Sequence, residues 1–276
     1  MGFEILVPED QDELFSLMEE DNYRLLAGGT DLFVKIEKDM VDPDRIIDIT
    51  EVLGDTSLKN EEELVEIPAT TTHGELANSS VIQDEFPILA DSAEAVGAVQ
   101  LRNMATIGGN ICNASPSADT LIALYALNAR LKLKSIAGRR TVKIEDFITG
   151  PGSIELESGE FLESVIIPKI SDGYEHYFKK IGRRNALDIS VCSMGFLLKL
   201  DSGEVEDVRI AYGAVGPRII RPTALEEFLE GKSVSREILP EAKELLSDEI
   251  SPISDIRGSA EYRKDVALGQ LEELVK

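Results

Sequence analysis

Two glycine-containing segments carry the residue types from which a phosphate-binding site can be built. The first consists of Leu25, Leu26, Ala27, Gly28, Gly29, Thr30, Asp31 and Leu32. Paired glycines allow positive φ angles and a close approach of the backbone to a ligand. The N–H groups of such a turn, and of a helix that begins directly after it, can bind a pyrophosphate. Taken alone, this segment fits an ordinary tight turn better, and it is neither a P-loop nor a GxGxxG sequence.

The second segment, residues 106–119, places another pair of glycines among small hydrogen-bonding side chains. Its candidate ligand-binding residues are Thr106, Ile107, Gly108, Gly109, Asn110 and Asp119. So many donors and acceptors in an apolar neighbourhood suit a ligand that carries hydroxyl and phosphate groups. The alternative interpretation is a turn-rich segment that caps a helix starting at Thr120. The two segments together favour ligand binding more strongly than either one does alone.

The elements around these segments predict an α+β chain in two parts. Strand and helix patterns alternate over residues 3–50, where an apolar strand at 23–27 leads into the first glycine pair and a short helix follows at 32–36. One helix is predicted at 86–99. Alternating strands at 174–181, 189–200 and 205–212 predict a three-stranded antiparallel sheet, followed by helices at 224–230, 236–246 and 259–274. The predicted domains are therefore 1–170, with subdomains of about 1–55 and 56–170, and 171–276.

Composition excludes several other function classes. The net charge of −24 argues against nucleic acids and anionic membrane surfaces, both of which attract basic proteins. No apolar stretch is long enough for membrane insertion, and the first residues do not resemble a signal peptide. Cys112, Cys192, His73 and His176 stand apart in the sequence, so we expect no metal site. Redox chemistry would then require an organic cofactor, and a reducing, cytoplasmic location is the default.

The strings AGGTDL and TIGGNICNASPSADT resemble the paired FAD-binding signatures of the flavoprotein subunit of molybdenum hydroxylases, the xanthine dehydrogenase and carbon monoxide dehydrogenase family. The resemblance continues through residues 177–190, 211–218 and 251–263, and so spans nearly the whole chain. It implies a two-part FAD-binding domain of the vanillyl-alcohol-oxidase/p-cresol-methylhydroxylase type. A C-terminal flavoprotein domain, built from the three-stranded antiparallel sheet and helices, would follow.

The resemblance also implies roles for individual residues. Backbone N–H groups of residues 25–32 would bind the FAD phosphates, and residues 106–110 would cradle the pyrophosphate and the ribityl chain. Asp119 would accept hydrogen bonds from FAD hydroxyls, and Leu162 falls near a flavin contact of the family. Lys179 would lie near the isoalloxazine ring, although an exposed strand lysine is the alternative interpretation. Residues 182–188 would cover the flavin, with Leu187 or Asp188 controlling access to it.

The function implied is electron transfer within a multisubunit enzyme, with no catalytic acid or base on this chain. A large subunit with a molybdenum cofactor and a small subunit with [2Fe–2S] clusters would be its partners, and NAD+ or another acceptor would take the electrons. One alternative is a self-sufficient flavin reductase of the same fold, which would need a proton donor that the sequence does not offer. Another is a non-catalytic assembly subunit without FAD, against which the intact glycine pairs and Asp119 argue.

Overall fold

The first fifty residues fold into a small parallel sheet with a helix on each face. The structure is a computed structural model that describes residues 2–53, 57–184 and 187–276. The strands are β1 (Glu4–Leu6), β2 (Tyr23–Leu26) and β3 (Arg45–Asp48), and the helices are α1 (Gln11–Met18) and α2 (Leu32–Glu37). β3 lies in the centre and pairs in parallel with both neighbours. Ile46 of β3 packs against Ile36 of α2, and Ile47 packs against Leu14 of α1, so both faces of the sheet are buried.

The second unit is a five-stranded antiparallel sheet covered by short helices. Its strands lie in the order β4 (Lys59–Asn60), β5 (Leu64–Pro68), β10 (Phe161–Pro168), β6 (Arg130–Ser135) and β7 (Gly138–Lys143). The helices before β6 are α3 (His73–Asn78), α4 (Ser80–Glu85), α5 (Pro87–Glu94), α6 (Val99–Arg102), α7 (Ile107–Asn113) and α8 (Asp119–Ala126). Between β7 and β10 lie α9 (Ile144–Phe147), β8 (Ile148–Gly150) and β9 (Ser153–Ile154).

The prediction of one helix at 86–99 is wrong. Pro87 begins α5 as the pattern indicated, but the helix ends at Glu94. Gly97 has a φ of 51°, a left-handed conformation that cannot continue a right-handed helix. The separate helix α6 then begins at Val99. This break brings residues 97–105 back towards the first sheet.

The last unit is an antiparallel sheet sandwiched between two sets of helices. Its strands are β11 (Tyr174–Ile181), β12 (Cys192–Asp201) and β13 (Glu204–Gly213), followed by α10 (Thr223–Leu229), α11 (Leu239–Glu249) and α12 (Ala260–Gln270), with short 3-10 helices at Arg236–Ile238 and Leu271–Val275. One face of this sheet contacts α5 and α8, and the other packs against the C-terminal helices. The three-stranded sheet was predicted, although β12 begins at Cys192 rather than at 189. Among the helices of the described ranges, none has the length and apolar character needed to cross a bilayer.

Candidate functional site

The first glycine segment forms a turn whose backbone N–H groups are free. β2 ends at Leu26, and Gly29 adopts a φ of 69°, which glycine tolerates without steric cost. Within the described part of the chain, the N–H groups of Gly28, Gly29 and Thr30 make no hydrogen bond. α2 begins two residues later, and the N–H of Phe33 in its first turn donates to the Gly29 carbonyl at 3.2 Å. The turn therefore offers a concave run of donors that suits an anionic ligand.

The second glycine segment is held differently, because the protein itself uses its backbone donors. The N–H of Ile107 donates to the Thr71 carbonyl at 2.9 Å, and that of Gly108 donates to the Ala69 carbonyl at 2.8 Å. Thr106 caps α7 by accepting from the N–H of Gly109 at 3.1 Å. These bonds anchor the start of α7 beside β5. Around its glycine pair, the second segment thus contributes its glycine surface and side chains to the site, whereas the N–H groups at the glycine pair of the first segment are unbonded among the described residues.

Lys35 joins the two segments through its ammonium group. Its Nζ lies 2.8 Å from a carboxylate oxygen of Asp31 in the first segment. The same atom donates to the side-chain oxygen of Asn113 in the second segment. Further along, Thr120 of α8 donates to the side-chain oxygen of Asn110 at 2.9 Å. Two stretches about eighty residues apart in sequence are thereby fixed side by side, as the sequence predicted for a shared site.

A cavity of about 440 Å³ lies between the first sheet and the second unit. This volume falls in the range of small-molecule and cofactor sites. Of the predicted site residues, those in its lining are Leu25, Ala27, Gly108, Gly109 and Leu162. Further residues in the lining, which sequence reasoning missed, include Tyr23, Thr70, Cys112, Glu160 and Phe161. Phe161 directly precedes the predicted Leu162, and Tyr23 lies two residues before the predicted Leu25, so closeness in sequence was the signal that could have identified them.

The other predicted residues lie outside this lining. Leu26 and Ile107 are core residues, with exposures of 8% and 0% respectively. Thr30, Asp31 and Leu32 form the start of α2. Thr106 is the buried cap of α7, and Asn110 faces Thr120 as described above. Direct contacts between these side chains and a ligand remain predictions.

Asp119 is a buried carboxylate at the first turn of α8. Its Oδ2 accepts a hydrogen bond from the ammonium of Lys180 at 2.6 Å, and its exposure is only 5%. Burial raises the pKa of this carboxyl to about 6, although the Lys180 charge opposes the shift. The other oxygen, Oδ1, is buried without a hydrogen-bond donor among the described residues. Such an oxygen calls for a donor from outside the chain.

Lys179, which the family resemblance placed near the ring, lies on the other face of the sheet. Successive side chains of a strand point to opposite faces. Tyr177 of β11 stacks on Phe196 in the cluster with the C-terminal helices, and Lys179 shares that parity. Lys180 occupies the face that contacts α5 and α8. The structure therefore brings Lys180, and not Lys179, to Asp119.

Hydrogen bonds hold both described ends of the loop that follows β11. Leu187 donates its N–H to the Gly97 carbonyl at 3.2 Å, has a φ of 52° and leaves 54% of its surface exposed. The Asp188 carboxylate accepts from the N–H of Arg184 at 2.7 Å. Asn185 and Ala186, which belong to the predicted flavin-covering loop, lie outside the described residues. The Asp188 charge also contributes to the raised pKa of Asp119, so the end of the loop lies close to α8.

These features fit FAD. The unbonded N–H groups of the first turn can donate hydrogen bonds to a pyrophosphate. Gly108 and Gly109 have no side chains, so a cofactor in the cavity can approach their backbone closely. Thr70 lines the cavity with a buried hydroxyl that has no partner among the described residues. Oδ1 of Asp119, which lies outside the cavity lining, is also buried without a partner among those residues. Cys112 also lines the cavity, and burial raises the pKa of its thiol to about 12, so it remains protonated.

Family profiles and individual relatives match this chain over almost its full length. Residues 1–170 match the family profile of the FAD binding domain in molybdopterin dehydrogenase, and residues 176–276 match the CO dehydrogenase flavoprotein C-terminal domain. The chain is 34% identical to the glyceraldehyde dehydrogenase medium chain of Sulfolobus acidocaldarius, over 93% of this chain and 90% of that protein. It is 30% identical to the nicotine 6-hydroxylase medium subunit of Paenarthrobacter nicotinovorans, over 97% and 92% of the two chains.

Solved structures agree. Carbon monoxide dehydrogenase from Hydrogenophaga pseudoflava contains a chain that superimposes with a TM-score of 0.94 at 28% identity, covering 99% of this chain and 96% of that one. A chain of quinoline 2-oxidoreductase from Pseudomonas putida 86 gives a TM-score of 0.93 at 26% identity, covering 100% and 96%. The protein therefore belongs to the FAD-binding medium subunits of the xanthine dehydrogenase and carbon monoxide dehydrogenase family of oxidoreductases, with FAD as its cofactor.

Proposed function

We propose that this chain is the electron-transfer subunit of a cytoplasmic molybdenum hydroxylase. It would take electrons from the [2Fe–2S] clusters of a small partner subunit and pass them to NAD+ or another acceptor. The observation that carries this proposal is the cavity lined by Ala27, Gly108 and Gly109. Directly after Ala27 in the chain come the N–H groups of Gly28, Gly29 and Thr30, which make no hydrogen bond among the described residues. This arrangement suits the binding and orientation of a cofactor, and among the described residues that line the cavity no nucleophile is hydrogen-bonded to a base.

Each part of the site has one task in this proposal. When bound, FAD supplies an isoalloxazine ring that accepts single electrons and delivers pairs of them. Gly28, Gly29 and Thr30 hold the phosphates through their N–H groups, while Tyr23 and Phe161 enclose an apolar part of the cofactor. Asp119 accepts a hydrogen bond from a cofactor hydroxyl. The chain's own residues position the cofactor and exclude water, and substrate oxidation takes place elsewhere.

The partners follow from the relatives. Two of them carry the names medium chain and medium subunit, and a third similar protein is the carbon monoxide dehydrogenase medium chain of Hydrogenophaga pseudoflava. We infer that a large subunit with a molybdenum cofactor and a small iron–sulfur subunit assemble with this chain. Two free cysteines, both without a disulfide, are compatible with a reducing compartment.

Non-covalent binding of one FAD per chain is the first part of the experimental test. The protein is purified, and its flavin content is measured before and after precipitation with acid. We expect a yellow protein that releases all of its flavin to the supernatant. Flavin that stays in the pellet would show a covalent bond, and a colourless native protein would support the assembly-subunit alternative.

Electron flow through the flavin is the second part of the experimental test. Anaerobic stopped-flow measurements follow flavin reduction by NADH, first with the chain alone and then with its copurified partners. We expect the chain alone not to oxidise purines, aldehydes, aromatic acids or carbon monoxide. With the partners present, one of these substrate classes should reduce the flavin. Turnover of an organic substrate by the isolated chain would instead identify a self-sufficient flavoenzyme.

A further inference from the structure

The ion pair between Lys180 and Asp119 connects two units of the fold at a buried position. Lys180 lies on β11 of the C-terminal sheet, and Asp119 lies in the first turn of α8 in the second unit. Their side chains leave only 15% and 7% of their surfaces exposed, and the two charged atoms lie 2.6 Å apart. A carboxylate buried to this extent without a cation would be strongly destabilised. Lys180 therefore decides whether Asp119 is charged.

The geometry also determines which oxygen of Asp119 is used. Lys180 binds Oδ2 and donates a second hydrogen bond to the Ala95 carbonyl at 3.1 Å, so its ammonium is fixed at two points. Oδ1 has no partner among the described residues. One oxygen of the carboxylate is thus held by the protein, while the other still needs a donor. An ionised acceptor forms a stronger hydrogen bond to a hydroxyl than a neutral one does.

We propose that Lys180 is a positioning residue of the flavin site, which holds Asp119 charged and oriented so that Oδ1 accepts a hydrogen bond from an FAD hydroxyl. The inference rests on the proposed placement of FAD beside α8. Lys180 is a positioning residue in this scheme, because it acts through Asp119. Lys179 is exposed on the opposite face of β11 and cannot take this role.

The proposal predicts a characteristic pH dependence of FAD binding. The charged groups that act on Asp119 are Lys180 from β11 and Asp188 from the loop that follows it. Since the pKa of Asp119 is about 6, FAD binding should weaken as the pH falls through that value. Loss of the Lys180 charge would raise the pKa of Asp119 further, because burial and Asp188 would act on the carboxyl unopposed. In a variant without the Lys180 charge, FAD binding should therefore begin to weaken at a higher pH than in the wild type.

The experiment measures the dissociation constant of FAD against pH for the full-length protein after removal and re-addition of the cofactor. Lys180→Gln keeps a donor for the Ala95 carbonyl but removes the charge. We expect it to bind FAD about tenfold more weakly at neutral pH, with the pH midpoint shifted upwards. Lys180→Arg should restore most of the affinity. Lys169→Met, which breaks the half-buried pair with Glu85 far from α8, serves as the control and should bind FAD like the wild type.

Further variants separate failure of this inference from failure of the flavin site itself. Asp119→Asn should weaken FAD binding and remove the midpoint of its pH dependence. The double variant Asp119→Asn/Lys180→Gln should show no further loss of FAD affinity. Wild-type FAD affinity and a wild-type pH midpoint in Lys180→Gln would overturn the role of Lys180. Wild-type affinity in both Asp119→Asn and Gly109→Val would instead show that FAD does not bind at this site. A melting temperature for each variant confirms that it is folded.

Discussion

Gly28 lies directly against the carbonyl oxygen of Met104. A Cβ atom placed on Gly28 would stand 1.9 Å from that oxygen and 2.7 Å from the carbonyl carbon. Both are backbone atoms, so neither can rotate away. Met104 lies two residues before the second glycine segment, and its position depends on the break between α5 and α6. The first glycine is therefore required for the contact between the two halves of the flavin site, separately from any contact with the cofactor.

We expect Gly28→Ala to destabilise the protein by about 1–3 kcal/mol, the usual cost of overpacking. FAD affinity should also fall, because the two segments must move apart to admit the methyl group. Urea unfolding and a flavin-binding titration measure the two effects. The matched control is Gly269→Ala in α12, where a Cβ would meet no atom within 4 Å. Alanine there should stabilise the helix by about 0.5–1 kcal/mol. Equal stability of both variants would contradict the close contact at Gly28.

The two glycines of the second segment should respond differently to substitution. A Cβ on Gly108 would lie 2.7 Å from the Ala69 carbonyl oxygen, whereas one on Gly109 would meet only the Thr106 hydroxyl, at 3.0 Å. Gly109→Val should therefore extend into the cavity and abolish FAD binding while circular dichroism remains like that of the wild type. Gly108→Val should lower the melting temperature. Wild-type flavin content in Gly109→Val would show that this segment is only a turn.

Much of this arrangement could be predicted from the sequence, because glycine pairs and hydrophobic periodicity are local signals. The two segments, the antiparallel sheet and the capped helices belong to this class. Local signals do not show whether Lys179 or Lys180 lies beside Asp119. Alternation shows that the two side chains point to opposite faces of β11, but both faces of that sheet are covered by helices. Only the tertiary packing of α8 against one face reveals that Lys180 meets Asp119.

His73 should make stability depend on pH. It is fully buried, and neither ring nitrogen has a partner within the described ranges. Burial, assisted by the Arg102 charge, lowers its pKa from 6.5 to about 4. Between these values the unfolded chain binds a proton that the folded chain does not, so stability falls as the pH decreases from 6.5 to 4. The difference amounts to about 3 kcal/mol.

The variant His73→Leu removes this titration and sacrifices no hydrogen bond of the described structure. Urea unfolding of wild type and variant is compared across the pH range, so that the carboxylates common to both proteins cancel. The stability difference between them should shift in favour of the variant as the pH falls below 6.5. A difference that stays constant with pH would mean that His73 is accessible to protons in the folded protein.

We predict that Leu187, in the loop after β11, controls access to the flavin. Its backbone is left-handed, with a φ of 52°, and its N–H is bonded to the Gly97 carbonyl, so the side chain is held outward at 54% exposure. Asparagine tolerates this backbone conformation better than leucine does. We therefore expect Leu187→Asn to preserve the loop and to leave the stability within about 0.5 kcal/mol of the wild type.

If Leu187 covers the flavin edge, its replacement by a smaller polar residue should speed electron exchange with an acceptor several-fold, while FAD affinity stays unchanged. Substrate oxidation should also be unaffected, because in the proposed complex that reaction takes place on the molybdenum subunit and not on this chain. Stopped-flow reoxidation of the reduced flavin by a small quinone measures the effect. Ile136→Asn is the control, since this residue is 76% exposed at the hairpin between β6 and β7, away from the loop after β11 in the sequence. Identical reoxidation rates in the wild type and Leu187→Asn would place the opening to the flavin elsewhere.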